Sequence, residues 1–136
     1  MLNEDLIEMA FIDQLTDQGF EFHQGPDIAP DSDNPQRKNF DSVVLENELF
    51  KAIERLNPDV PSKAIKEAHQ KVLNLGTEDI MQNNERFHNY ITNGVPVEFT
   101  KNGASKGVNV DLLDIENPDN NSFWAVNQLV IIENNN

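Results

Sequence analysis

The sequence predicts an α+β fold in which about four N-terminal helices precede the first two or three strands of a sheet. Three observations support this. Apolar residues recur at helical spacing in four stretches that end at Asn93-Gly94. After Gly94 the period shortens to two, with Val95, Val97 and Phe99 alternating against polar neighbours. The last apolar stretch closes on the continuous run Leu129-Val130-Ile131-Ile132, the pattern of a strand buried on both faces. Such a strand needs neighbours and cover, yet the sequence stops at Asn136, so the expected sheet is incomplete.

The first helix starts at Asn3, whose side chain suits an N-cap, with Glu4 and Asp5 in the first turn where the helix dipole favours anions. Ile7, Phe11 and Leu15 form its expected apolar stripe, and Gly19 fits the position just past its end. Phe20-Glu21-Phe22 alternates like a short strand. From Gln24 to Asn39 the chain carries Pro26, Pro30 and Pro35, which fix φ and remove backbone donors, so a long loop is expected. The second helix is expected over Asp41 to Leu56 and is stopped by Asn57-Pro58. The third begins near Pro61 or Ser62, turns Ile65, Ala68 and Val72 inward, and ends at Gly76. Thr77 is expected to cap the fourth, whose stripe is Ile80, Met81, Asn84, Phe87 and Ile91. Lys101-Asn102-Gly103 and Asn117 to Asn121 are turn signals between mostly antiparallel strands, and Phe123 to Ile132 is expected as one long strand.

Composition narrows the classes of function. A chain of 136 residues with 38% apolar content fits one domain or part of one, and residues 1–136 read as a single piece. There is no apolar run of membrane-spanning length, and the acidic start Met1-Leu2-Asn3-Glu4-Asp5 is not a secretory signal, so a cytoplasmic protein is expected. Absence of cysteine excludes disulfides, thiolate metal sites and cysteine nucleophiles. The net charge of −14 repels phosphate, so the chain by itself is expected to bind DNA poorly. That charge is uneven: nine carboxylates precede Arg37, the first basic residue.

Few patterns carry chemistry. No serine lies in a Gly-x-Ser-x-Gly elbow, and no Gly-Lys-Ser/Thr tripeptide marks a phosphate loop. His69 and His88 lie beside apolar helical stripes and read as half-buried structural residues, whereas His23 enters the acidic proline-rich loop. Asp27, Asp31 and Asp33 cluster there without the EF-hand pattern. Metal-dependent nucleases use carboxylates to hold Mg²⁺ and a lysine to orient or activate water, one compact arrangement being an Asp followed by Glu-x-Lys on a strand. No Asp or Glu here has a Lys two positions on, and no Lys follows Lys106.

Several segments nonetheless match one family in order. Ala10-Phe11-Ile12 to Gly19-Phe20, Gly25-Pro26-Asp27-Ile28-Ala29-Pro30-Asp31, Val43-Val44-Leu45-Glu46 and Arg55-Leu56-Asn57-Pro58 lead into Asn83-Asn84-Glu85-Arg86-Phe87-His88. Asn93-Gly94-Val95-Pro96-Val97-Glu98-Phe99, Asp114-Ile115-Glu116-Asn117-Pro118 and Ala125-Val126-Asn127-Gln128 follow. The chain resembles, over nearly its whole length, the start of the restriction (R) subunit of type I restriction–modification enzymes. The resemblance implies the opening of a restriction-endonuclease-like domain, whose metal-binding Asp and Glu-x-Lys follow shortly after the Val-Asn-Gln strand. It implies Mg²⁺ and ATP as cofactors of the parent subunit, with none expected in the piece itself. Duplex DNA and the modification and specificity subunits are the implied partners. It also implies that this piece alone is inactive. Glu8, in Glu8-Met9-Ala10-Phe11-Ile12, matches the family's first-helix Glu, and the resemblance makes it the one catalytic or metal-site candidate.

Two other classes compete with this reading. The charge fits an acidic DNA mimic or inhibitor, although acids and bases mix from Arg37 to Arg86. The helices fit a protein-interaction module. The exposed edge expected of the last strand predicts self-association.

Overall fold

The computed structural model describes residues 3–132. The elements run α1 (Glu4–Asp17), β1 (Glu21–Gln24), α2 (Gly25–Ile28), α3 (Glu46–Leu56), α4 (Ser62–Leu73), α5 (Ile80–Asn93), β2 (Val95–Lys101), β3 (Ala104–Val110) and β4 (Trp124–Asn127). This is the α+β class, with helices first and short strands after. Among the described residues no helix is long and apolar enough to cross a membrane. The chain forms two compact units, one from the residues up to Val43 with those from Ser122 onward, the other from Val44–Asn121.

The Val44–Asn121 unit holds the main core. Ile53 of α3 and Ala64, Ile65, Ala68 and Val72 of α4 pack with Val95, Val97 and Val110 of the β2–β3 hairpin. Alanines at 64 and 68 keep one stripe of α4 low, which lets its neighbours approach closely. In the antiparallel hairpin Val95 pairs with Val110 and Val97 with Val108, so period-two alternation sends these valines inward. Lys101 pairs with Ala104 across the two-residue turn Asn102-Gly103, where φ is 54° and 80°. Positive φ at both positions matches the strand twist, and Asn-Gly is the dipeptide that accepts it most readily. Ile53, Val95 and Val110 are fully buried, each stabilising by about 1.5–3 kcal/mol.

Local differences from the sequence reading have identifiable causes. Helix α3 starts at Glu46 rather than Asp41, because the Phe40 and Ser42 carbonyls accept hydrogen bonds from Arg37 instead of starting a helix ladder. Asp79, not Thr77, caps α5: its Oδ1 accepts from the Met81 and Gln82 amides at 2.9 and 3.3 Å, while Thr77 Oγ1 accepts from the Asp79 amide. The expected stripe of α5 is largely in solvent, with Ile80 and Met81 74% and 81% exposed and Phe87 41%. The helix meets the core through its last turn, where Tyr90 packs.

The turn after β3 is tied by Asp114, whose Oδ1 accepts from the Asn117 amide at 2.9 Å and whose Oδ2 accepts from Asn120 Nδ2 at 2.8 Å. The Asn120 side chain, and then the Asn117 amide, hold this carboxyl below the usual carboxylate range. The predicted turn at Asn117 to Asn121 contains one 3₁₀ turn, Pro118–Asn120.

The other unit is α1, β1, α2 and β4. Asn3 caps α1 as expected, accepting from the Leu6 amide at 2.9 Å, and Gly19 sits past its end at φ 96°. Its expected stripe is displaced. Phe11 is 62% exposed, and the half-buried positions are Glu8, Ile12 and Leu15. β1 and β4 pair in parallel, not antiparallel, with Glu21 opposite Trp124 and Gln24 opposite Asn127. The long strand expected over Phe123 to Ile132 is four residues, Trp124–Asn127. Gln128 takes φ 50°, which ends the extended run, and Leu129, Val130 and Ile131 are exposed rather than buried on both faces. Their backbone is held by long-range bonds instead: Arg37 Nη1 donates to Val130 O at 2.9 Å and the Ile132 amide to Phe40 O at 3.0 Å.

Asn57 is the polar keystone of the Val44–Asn121 core. It is buried, donates to Ile53 O at 2.7 Å and Asp111 O at 2.8 Å, and accepts from the Asp111 amide at 2.8 Å. Truncation orphans those groups, so Asn57→Ala is expected to destabilise by about 2–3 kcal/mol in urea unfolding. A loss under about 0.5 kcal/mol, typical of surface sites, would show that Asn57 does not link α3 to the strand exit.

Candidate functional site

Glu8 lies on the inward stripe of α1, one turn before Ile12. Its Oε1 accepts a hydrogen bond from Asn127 Nδ2 at 2.7 Å, across 119 residues of sequence. Only the amide nitrogen of Asn127 can donate to a carboxylate, so this contact fixes which way the amide faces. That leaves Asn127 Oδ1 buried without a partner.

The parallel register explains the placement. Residues paired in parallel strands point to the same face, so Phe22, Gln24, Ala125 and Asn127 share one face while Glu21, His23, Trp124 and Val126 share the other. Glu8 meets the first face. On the second, the His23 ring stacks on the Trp124 indole with centroids 3.7 Å apart. His23 Nε2 lies 3.4 Å from Glu21 Oε1, but the angle does not make a hydrogen bond, and both His23 Nε2 and Trp124 Nε1 are buried without a hydrogen-bond partner.

Where β1 ends, Gly25 begins α2 immediately. A Cβ at Gly25 would sit 2.6 Å from Asn127 O and nearer still to Gln128 O. No side chain fits, because the obstructing atoms are backbone of Asn127 and Gln128 and cannot move aside cheaply. Arg37 closes the same unit. Its guanidinium is buried and donates to Ser42 O, Val130 O and Phe40 O at 2.9, 2.9 and 2.7 Å.

The other candidates separate from Glu8. His23 lies within β1, not in the acidic loop. His69 Nε2 is 2.9 Å from Glu46 O with its ring edge-on to Phe50, a structural role as expected. His88 is exposed, not half-buried, because α5 turns that side to solvent. Among the described residues no group of three or more His, Cys, Asp or Glu could hold a metal ion, so Asp27, Asp31 and Asp33 form no cage. Sequence reading missed Arg37 and Gly25 as site-forming residues. In the sequence Arg37 is marked as the first basic residue after nine carboxylates, and Gly25 stands in the Gly25-Pro26-Asp27 segment with no local signal of its contact with Asn127 and Gln128.

For Mg²⁺, the oxygen chemistry of Glu8 and of the unpartnered Asn127 Oδ1 is the right kind, since hard cations take oxygen ligands. A single carboxylate falls short of a full shell. Glu8 therefore fits as a contributor to a site and not as a whole one.

A family model described as "Type I restriction enzyme R protein N terminus" matches residues 1–136. The chain belongs to this family. It is 34% identical over 131 residues to the "Type I restriction enzyme HindI endonuclease subunit" of Haemophilus influenzae, covering 96% of this chain and 12% of that protein. It is 30% identical over 131 residues to the "Putative type I restriction enzyme MjaIXP endonuclease subunit" of Methanocaldococcus jannaschii, again covering 96% of this chain and 12% of that protein. The chain thus spans about an eighth of the length of these relatives. No solved structure matches it.

Gly25→Ala forces the β1–α2 junction away from β4 and is expected to cost about 3 kcal/mol or more, with hydrogen-exchange protection of Phe22 and Ala125 lost first. Unchanged protection at those amides would show that the close approach is not needed.

Proposed function

We propose that this chain is the opening stretch of the nuclease domain of a type I restriction subunit that cleaves unmodified duplex DNA. The observation that carries the reading is the family match across residues 1–136, joined to a half-buried carboxylate, Glu8, turned toward a strand rather than to water. In this reading the parent subunit uses Mg²⁺ for phosphodiester hydrolysis and ATP for translocation, and works with modification and specificity subunits. Bound Mg²⁺ supplies water activation and charge stabilisation. What this chain supplies is one positioned carboxylate on α1 and the β1–β4 pair behind it. The remaining carboxylates and the lysine come from sequence outside it, because no Asp or Glu here has a Lys two positions on. Grip on DNA also comes from elsewhere, since a net charge of −14 repels phosphate.

The reading predicts that the 136-residue chain alone does not cleave DNA with Mg²⁺. In the complete subunit, Glu8→Ala lowers plasmid cleavage by about 10- to 100-fold while DNA-stimulated ATP hydrolysis is unchanged. Cleavage at the unmutated rate, measured with ATP hydrolysis in the same reactions, would remove Glu8 from the reaction.

A further inference from the structure

We propose that the exposed stripe of α5 and the cavity at its C-terminal end form one docking surface for an amphipathic helix of a second protein, apolar along its length and basic in its last turn. The surface lies wholly within the Val44–Asn121 unit and is independent of Glu8. Ile80, Asn84, Phe87 and Ile91 recur three or four residues apart and share one side of α5. Ile80 and Phe87 are exposed and Ile91 is half-buried. From Ile80 the stripe runs about 16 Å along the helix to Ile91. There Ile91 joins the lining of a cavity of about 440 Å³. Leu113 and Ile115 make that cavity apolar, and Asp111, Asp114 and Glu116 line it with carboxylates. Among the described residues no lysine or arginine lines it, and Arg55 nearby turns its Nε to Asn120 O.

Charge complementarity selects the occupant. The last turn of α5 has no basic residue, so its carbonyl end adds partial negative charge beside the three carboxylates. The Asn120 side chain, and then the Asn117 amide, favour the ionised form of Asp114. These carboxylates are not gathered closely enough to hold a metal ion, so the cation that suits them is one carried on a side chain. A lysine or arginine lays its apolar stem along Leu113 and Ile115 while its head meets the acids. A helix favours such residues in its own last turn, and its apolar ridges pack on a stripe of helical spacing. A second copy of this chain is the wrong match, because a net charge of −14 opposes its approach.

The test titrates the 136-residue chain with a synthetic helical peptide that carries leucines at the spacing of the α5 stripe and lysines in its last turn, read by amide NMR. Saturable shifts are expected at α5 and at residues 111–116, with binding weaker at higher salt. Phe87→Gln, which leaves the charge unchanged, weakens binding about tenfold or more. Asp111→Asn combined with Glu116→Gln weakens it about fivefold. An intact β2–β3 amide pattern shows that a variant is folded, and Ile80→Gln replaces Phe87→Gln if that pattern is lost. Binding indifferent to the apolar substitution in a folded chain overturns the proposal, since charge alone then holds the peptide. Equal binding of a peptide with glutamates in place of the lysines overturns the basic occupant. Shifts confined to other surfaces overturn the site. Self-association of the free chain in light scattering that Phe87→Gln abolishes gives the stripe to a second copy and overturns the partner named here.

Discussion

Parallel pairing of β1 with β4 is the constraint on which the candidate site depends. It joins Glu21 to Trp124 and Gln24 to Asn127, residues about a hundred positions apart. Closing so long a loop carries an entropy cost that grows only slowly with length, but the first long-range contacts must still offset it. Two strands do not do so alone. Here the pairing is reinforced beyond its C-terminal end. Gly25 lets the β1–α2 junction press against the backbone of Asn127 and Gln128, and Arg37 gathers the carbonyls of Phe40, Ser42 and Val130. A guanidinium is suited to this, since its donors lie in a rigid fork. With the strands held, Asn127 is fixed, and the side chain of Glu8 has a defined partner.

The Val44–Asn121 unit follows simpler rules. Its core is assembled mostly from residues near one another in sequence: two helices with small residues at the contact, then a hairpin with a two-residue turn. Asn57 satisfies the backbone at the α3 terminus and at the exit of β3 with one side chain. Apolar side chains of α5 remain in solvent at its first turns, at Ile80 and Met81. In this unit no group of three or more His, Cys, Asp or Glu could hold a metal ion.

Much of the fold was legible because local signals decided it. Asn3 and Gly19 bounded α1, Asn57-Pro58 ended α3, and Asn102-Gly103 turned the hairpin, each through a backbone preference that needs no distant partner. The misreadings share a cause. Leu129 to Ile132 looks like a doubly buried strand by composition, but Gln128 at positive φ ends β4, and the following carbonyl and amide groups pair with Arg37 and Phe40. In α1, apolar spacing pointed to Ile7 and Phe11, whereas Glu8, Ile12 and Leu15 are the half-buried set. A polar residue on the inward side defeats any rule based on hydrophobic period. The same residue was found by resemblance to a family, not by periodicity, and its partner Asn127 could not be found at all without the register of β1 and β4.

Glu8 is thus a carboxylate held, partly sheltered, by Asn127, a partner distant in sequence. Family membership places that arrangement among the N termini of type I restriction R proteins, and the net charge of −14 disfavours contact with phosphate. The most direct measurement is Mn²⁺ anomalous scattering from crystals of the restriction subunit in which this sequence is the N-terminal stretch. The account predicts an anomalous peak within about 2.2 Å of a Glu8 oxygen, a direct ligand distance for an octahedral cation. A peak at the nuclease centre with Glu8 turned away and still bonded only to Asn127 would contradict it.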